Sequence, residues 1–474
     1  MAIMDSGAMM LPEAFLDRMK ELLQDEYPLF LESIEGGSFK GLRVNTLKTD
    51  VANCLEKNVF SLREIPWTNC GFYYDEEEKP GRHPFHDAGV YYIQEPSAMA
   101  PVTFLEVKPG ERILDLCAAP GGKSTQIAAA MQGEGLLICN EIHPQRAKIL
   151  SENVERMGIR NAIVTNETPQ NLANIFPGYF DKILVDAPCS GEGMFRKNEE
   201  ASVEWSPENV ILCAKRQDEV LLAAAKMLRP GGRLVYSTCT FAPVENEGTI
   251  SRFLREHTDF SIVKTEKPKG FMAGQAAWIE DAVSGIEDTM RLMPHKIQGE
   301  GHYLAVLQKK GTEDTLYKRN CVNGLEKGIK EKDYTDYLTF KKKYLAQDIL
   351  EGVYLLFGEQ LYLGPADMPS LKGLKVVRPG LHLGTMKKNR FEPSHALALA
   401  LKKEDVIQFA ELSVENAKKY VSGQTFLTQE IRIVSKETPA GWCIVCVDGY
   451  SLGWGKGDGR VLKNHYPKGL RRNS

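Results

Sequence analysis

Apolar residues open the chain at helical spacing. Leu11, Phe15, Met19, Leu22 and Leu23 fall on one face, so residues 11–34 are expected to form one or two helices. A polar and aromatic stretch follows, in which Asp75-Glu76-Glu77-Glu78-Lys79-Pro80-Gly81 reads as an exposed turn. From about residue 101 to 310 short apolar runs alternate with longer periodic ones. Ile113-Leu114-Asp115-Leu116-Cys117, Gly135 to Asn140, Ala162 to Thr165, Asp181 to Asp186 and Arg233 to Ser237 read as strands. Gly122 to Met131, Pro144 to Met157, Pro207 to Leu228 and Glu245 to Glu256 read as helices; proline suits the first helical turn. Runs without polar alternation belong to strands covered on both faces. This βαβ alternation predicts an α/β fold with a parallel, doubly wound sheet, where ligands bind beyond the carboxyl ends of the strands. Asp115 to Lys123, Glu141, Asn166, Asp186 to Cys189, and Thr238-Cys239 all fall at those ends.

After this region Lys309-Lys310-Gly311-Thr312-Glu313-Asp314 reads as a linker. Residues 315–380 mix short strands with a Lys341-Lys342-Lys343 run. From about 386, helical Ala396 to Leu401 precedes strands and turns at Gly449, Gly453, Gly455, Gly457 and Gly459. A length of 474 residues accommodates about three domains. Hydrophobic content of 43% and charged content of 26% describe an ordinary soluble chain. No long apolar run suggests a membrane span. Met1-Ala2-Ile3-Met4-Asp5 has no basic segment ahead of an apolar stretch, so no export signal is expected. Ten cysteines are too sparse for a disulfide scaffold, and free thiols in a reducing cytoplasm are the expectation.

Charge changes the picture only by its distribution. The net charge of −4 divides into 33 Lys+Arg against 44 Asp+Glu over residues 1–310, and 26 against 19 over 311–474. The whole argues against a nucleic-acid binder, while the C-terminal third argues for one. There, Lys456, Arg460, Lys463, Lys468, Arg471 and Arg472 oppose only Asp458, and Trp454, His465 and Tyr466 interleave as candidate stacking platforms.

The candidate chemistry lies in the loops. Ala118-Ala119-Pro120-Gly121-Gly122-Lys123-Ser124 joins the first strand to a helix whose N-terminus favours anionic groups. A dinucleotide Gly-x-Gly-x-x-Gly is absent, and Cys117 stands where a phosphate-binding P-loop needs glycine. The loop suits a ligand carrying a carboxylate and an amine. Glu141, ending the second strand, suits a ribose diol. Amino acid, ribose and adenine together describe S-adenosylmethionine.

Asp186-Ala187-Pro188-Cys189 and Ser237-Thr238-Cys239-Thr240 bring cysteines to two strand ends. Methylation of exocyclic amines goes with an Asn/Asp-Pro-Pro-aromatic sequence at the first of these places, and cysteine stands here instead. A thiolate adding to carbon 6 of a pyrimidine makes carbon 5 enamine-like and able to attack a sulfonium methyl, after which a base removes the carbon-5 proton. Such chemistry needs a thiolate, an acid near ring N3 and a group for release. Cys239, Asp186 and Cys189 can supply these, with Lys123 as a cation to lower a thiol pKa. The residues alone do not rank the two cysteines. Cys117, Cys139, Cys54, Cys70 and Cys213 are expected as small core residues. No metal site is expected: Cys443-x-x-Cys446 lies in an alternating strand without a second pair.

With these residues in view, the chain resembles the RNA 5-methylcytosine methyltransferases of the Nol1/Nop2/Sun family, and within it the bacterial RsmF group acting on small-subunit 16S rRNA. The matching segments are Asp115 to Ser124, Asp186 to Gly193, Val235 to Thr240 with Pro243-Val244-Glu245-Asn246-Glu247, Arg43-Val44-Asn45-Thr46, and Gln94-Glu95-Pro96-Ser97. The resemblance implies a class I, Rossmann-like S-adenosylmethionine-dependent methyltransferase domain over 101–310. It implies an N-terminal RNA-binding extension over 1–100, a small central domain over 315–380 and a PUA-like α+β RNA-binding module over 386–474. It further implies that Cys239 is the nucleophile, that Cys189 assists release, and that Asp186 and Lys123 hold the reacting groups. Cys117, Ala118, Ala119, Pro120, Gly121, Gly122, Lys123, Glu141, Arg146, Asn166 and Asp186 are the implied cofactor residues. Many relatives carry Asp where Asn166 stands, which leaves a hydrogen-bonding role without a charge.

A cytosine inside a duplex hides carbon 6, so an unstacked or flipped base of structured rRNA is the expected target. The expected partner is 16S rRNA or the small ribosomal subunit, bound by a monomer. A non-catalytic ribosome-assembly factor, or a cytosine methyltransferase acting on tRNA or DNA, remains the alternative at this point.

Overall fold

Five of the expected strands form the middle of one ten-stranded sheet, in the order Leu228–Thr238, Phe180–Asp186, Arg112–Asp115, Leu136–Asn140 and Ala162–Thr165. All four pairings among them are parallel. The computed structural model describes residues 11–57, 59–197, 199–312, 321–346, 349–435 and 440–472; Met1 to Asp5 and Glu313-Asp314 of the expected linker lie outside them. Successive residues of each strand enter different apolar clusters, Leu114 and Ile138 in one, Ile113 and Leu137 in the other. That is the cause of their unbroken hydrophobicity. Helices Gly122–Ala130, Pro144–Arg156, Pro207–Met227 and Glu247–Glu256 follow the expected positions.

The expectation of a wholly parallel sheet is corrected at both edges. His302–Lys309 runs antiparallel to Leu228–Thr238, and the sheet continues through Met290–Leu292 to Phe271–Ala273. Phe260–Ile262 pairs antiparallel with the same His302–Lys309 strand. On the far side Val376–Arg378 lies antiparallel to Ala162–Thr165. Antiparallel neighbours need no helical crossover, so the βαβ rhythm carries no sign of them.

Helices Glu13–Leu23 and Tyr27–Glu35 pack Phe15, Met19 and Phe30 against Phe195, Trp205 and Phe241. They thereby clamp the loops that follow Cys189 and Cys239. A four-stranded sheet contains Arg63–Glu64, Gly71–Tyr73, Gly41–Val44 and Tyr91–Ile93. Its Leu42, Val44 and Tyr91 share an apolar cluster with Ala410, Tyr420 and Val445 of the C-terminal part. A second four-stranded sheet, Val353–Phe357, Gln360–Gly364, Leu381–Lys387 and Arg390–Pro393, contains strands on both sides of residues 380–386. The last sheet has six strands, among them Gln408–Leu412, Ala440–Val447, Tyr450–Asp458 and Val461–Asn464.

Two candidate stacking platforms are corrected here. Trp454 is 2% exposed and donates its indole N–H to the Ser394 carbonyl at 2.8 Å. Tyr466 is 4% exposed and packs on Tyr420. Both belong to the core of the module, and His465 stays exposed. Arg472 also faces inward, donating to the Gly81 carbonyl and to Asp87. No helix among the described residues is long and apolar enough to cross a membrane.

Candidate active site

The strand ends deliver the expected side chains to one edge. Cys189 Sγ and Cys239 Sγ stand 3.3 Å apart, although 50 residues separate them in sequence. Asp186 ends its strand beside Ser237, its register partner, and accepts the Ser237 hydroxyl on Oδ1 at 2.7 Å. Its Oδ2 accepts Lys123 Nζ at 2.8 Å. His302 Nε2 lies 3.9 Å from Oδ1.

These charges oppose the burial of Asp186. The Lys123 ammonium and His302 hold its carboxyl well below the usual carboxylate range. Asp186 is thereby an acceptor for both Lys123 and Ser237. Burial works against the Lys123 charge, but Asp186 chiefly, and Cys239 after it, carry the ammonium above its ordinary value. Lys123 therefore stays cationic between a carboxylate and a thiol. The hydrogen bond with Cys239, then burial, then the Cys239 charge hold the Cys189 thiol well above the ordinary thiol value.

A buried polar network fixes the two cysteine loops to one another. Glu245 accepts the Ser190 backbone N–H at 3.0 Å and Gln217 Nε2 at 2.7 Å on one oxygen, and the Ser190 hydroxyl on the other. Ser190 Oγ also lies 2.8 Å from Thr240 Oγ1. The Gly193 N–H donates to the Cys239 carbonyl at 2.7 Å. Glu192 accepts the Trp205 indole at 2.9 Å and the Phe241 N–H at 3.0 Å, and pairs with Arg18 at 2.7 Å. Ser190, Glu192 and Thr240 lie inside the matching segments, whereas Gln217 and His302 lie outside every motif the sequence offers. Each contacts its partner only after the chain has folded.

The expected cofactor residues also converge. The glycine loop between Asp115 and helix Gly122–Ala130 leaves the first-turn N–H groups without intrahelical partners. Asp115 at the root of the loop is fully buried, with Oδ2 accepting Ser124 at 2.6 Å and Oδ1 without a partner. Burial pushes its carboxyl up to about 7. Glu141 accepts the His143 N–H at 2.8 Å and lies 3.6 Å from Arg146, which donates to the Ala119 carbonyl at 2.8 Å. Asn166 donates to the carbonyls of Glu141 and Ile142, each at 2.8 Å. An aspartate could not make these two bonds, so the asparagine here fastens the strand-end loop itself. Cys117, on the same loop, is half-buried, and burial pushes its thiol up.

Arg43 joins the N-terminal sheet to the loop. It is fully buried and donates to Gln94 Oε1 at 3.0 Å, to the Gly122 carbonyl at 3.0 Å and to Thr125 Oγ1 at 2.7 Å. The segments Arg43-Val44-Asn45-Thr46 and Gln94-Glu95-Pro96-Ser97 thus owe their place in the motif set to support of this edge. Gly122 packs against Gln94 and Tyr92 so closely that an added Cβ would lie 3.3 Å from the amide of Gln94.

Known proteins match the chain in sequence along nearly its full length. The model for the 16S rRNA methyltransferase RsmB/F family matches residues 102–308. Models for the N-terminal domain of 16S rRNA methyltransferase RsmF, its first C-terminal domain and its PUA domain match 11–96, 339–401 and 408–472. Ribosomal RNA small subunit methyltransferase F of Vibrio campbellii is 31% identical over 98% of each chain. That of Salmonella typhi is 33% identical, covering 99% of this chain and 98% of its own. Among solved structures, a methyltransferase homolog protein from Pyrococcus horikoshii is 29% identical, covers 63% of this chain and 95% of its own, and superposes with a TM-score of 0.55. Matched along nearly its full length by small-subunit methyltransferases F, with both cysteines at one sheet edge, the chain belongs to the RsmB/F family of 16S rRNA methyltransferases.

Proposed function

We propose that this protein methylates carbon 5 of cytosine in small-subunit 16S rRNA, with Cys239 as nucleophile and Cys189 as the group that assists release. The observation that carries the reading is the pair of thiols 3.3 Å apart beside the Asp186–Lys123 ion pair. The cofactor reading rests on the Asp115 loop, Glu141, Arg146 and Asn166. Asp115, with its orphaned Oδ1, and the free N–H groups of the first helical turn suit the amine and carboxylate of an amino acid, and Glu141 suits a ribose diol. Bound there, S-adenosylmethionine supplies an electrophilic methyl group.

The chain's own residues do the rest. The Cys239 thiolate forms a bond to carbon 6 as the carbon 5–carbon 6 π bond opens, and the electron pair displaced into the ring is met at N3 by a proton taken up from solvent and returned when the ring is restored. Asp186, ionised, accepts N–H bonds from the cytosine edge, and Lys123 holds Asp186 in place. Once carbon 5 has gained its methyl group it loses its proton to a base, and the Cys239–carbon 6 bond breaks. Cys189, held as a thiol beside Cys239, is placed to serve this last stage. An rRNA reached in the cytoplasm, with its target base unstacked or flipped, exposes carbon 6 to Cys239 as a stacked duplex does not.

The basic row of the PUA module supports rRNA binding. Lys456 and Lys463 are exposed and sit directly opposite one another across two strands. Like charges so placed repel unless an anion lies between them. Lys456 Nζ also lies 5.1 Å over the Trp442 ring.

Transfer of labelled methyl to purified small subunits, with gel analysis of denatured product, tests the assignment. Cys239→Ala should abolish transfer, and Cys189→Ala should accumulate a covalent enzyme–RNA adduct. Activity in Cys239→Ala, or loss without adduct in Cys189→Ala, overturns it.

A further inference from the structure

His302 occupies the first position of the antiparallel strand beside the Cys239 strand, where its neighbour Tyr303 pairs with Thr238. Its ring is 6% exposed. Nδ1 lies 2.7 Å from the Gly301 carbonyl and 3.3 Å from Ser97 Oγ. A carbonyl only accepts, so Nδ1 carries a proton. Nε2 is buried, has no hydrogen-bond partner and points at Asp186 Oδ1 from 3.9 Å. In the neutral ring that nitrogen is a bare lone pair facing a carboxylate, one acceptor set against another. In the imidazolium it is a donor, and a shift of about an ångström closes a charge-assisted hydrogen bond.

Charged groups flank the His302 ring. Asp186 faces it from its own strand end, and Glu95 faces it from the segment that carries Ser97. His302 contributes to holding Glu95 low even against burial. Glu300, two residues upstream, is paired with Arg196 at 2.6 Å and lies 3.9 Å from Lys197. Lys123 acts on Asp186 from helix Gly122–Ala130.

We infer that His302 is a positioning residue: as the imidazolium it donates from Nε2 to Asp186, and with Lys123 and Ser237 it fixes the carboxylate against the edge of the target pyrimidine. This rests on the proposed cytosine chemistry. Neither ring nitrogen needs to touch the base.

The test compares wild type, His302→Phe and His302→Gln in methyl transfer to purified small subunits, with S-adenosylmethionine affinity measured by calorimetry. Phenylalanine keeps the ring shape and removes both nitrogens; glutamine offers an amide N–H. H302F should lose about 10- to 100-fold in kcat, the worth of one hydrogen bond to a charged group, with KM for the subunit and cofactor affinity unchanged. H302Q should recover most of that loss. Wild-type kcat in H302F, or a kcat in H302Q no better than in H302F, overturns the inference. Should H302F fail to fold, H302Q decides alone: kcat near wild type is expected, and a loss of about 10-fold or more overturns the inference. A wild-type enzyme that transfers nothing to the subunit refutes the cytosine reading instead.

Discussion

Replacing Glu245 by glutamine should make the protein more stable at pH 8. Glu245 is fully buried, and burial, with the charge of Glu192 adding to it, outweighs the hydrogen bonds from Ser190 and Gln217 and carries its carboxyl from an ordinary 4.5 to about 7. The folded chain therefore binds a proton that the unfolded chain has already lost across that interval. Stability from this source is fully present below pH 4.5 and is lost as pH rises through about 7. At ~1.4 kcal/mol for each tenfold difference, the ionised form at pH 8 is disfavoured by up to about 3 kcal/mol. Glutamine keeps a carbonyl for the Ser190 N–H and Gln217 Nε2, which share one oxygen, and turns its amide toward the Ser190 hydroxyl, which can accept. The charge is gone and most of the network remains. Thermal melts of E245Q and wild type at pH 5 and pH 8 check this. The variant should melt about 2–6 °C higher at pH 8 and no higher at pH 5, given ~2 °C per kcal/mol. A lower melting temperature at both pH values refutes the reasoning, because the ionised carboxylate would then be the form that the network needs.

Lys123→Met removes the ammonium from Asp186 and from the neighbourhood of Cys239; single-turnover transfer should fall at least 10- to 100-fold, from ~1.5–3 kcal/mol for one charged hydrogen bond, and an unimpaired rate removes Lys123 from the mechanism. The double substitution Lys456→Glu with Lys463→Glu should raise KM for the subunit about fivefold or more at low salt, with a shallower salt dependence and an unchanged kcat. An unchanged KM denies the PUA row any contact with RNA.

The sequence spoke plainly where chemistry and periodicity coincide. The five parallel strands and their loops were legible because buried strands leave unbroken apolar runs, and their ends must carry the polar residues. Asp115, Glu141, Asp186 and both cysteines follow from that rule. His302–Lys309 and the strands beyond it were not legible, since a hairpin neighbour leaves no helix-length gap to read. Nor were Gln217 and His302, whose importance comes from partners distant in the chain: Glu245 is 28 residues from Gln217, and His302 is 205 from Ser97. The C-terminal aromatics misled for a different reason. Trp454 stands two residues before Lys456, but period-two alternation also places it on the inner face of strand Tyr450–Asp458, while Tyr466 lies just past the last strand and packs on Tyr420; the module buries both.

The two cysteines show what the fold adds to a motif. Read as sequence, they were interchangeable thiols, and family resemblance alone ordered them. In the structure their surroundings differ. Cys239 lies within the field of Lys123, which a neighbouring negative sulfur strengthens as a cation. Cys189 has no such neighbour; its hydrogen bond to Cys239 and its burial both favour the protonated form. The Cys189 S–H thus lies between two sulfurs 3.3 Å apart, its proton shared with Cys239. These surroundings agree with the proposed division of roles, whose order rests on family resemblance. They also set a condition on Cys189→Ala: the variant removes an S–H donor along with a release group, so adduct should form more slowly in it than in wild type even as adduct accumulates. A burst of adduct as fast as wild-type methyl transfer would mean that the shared proton does nothing for the attack.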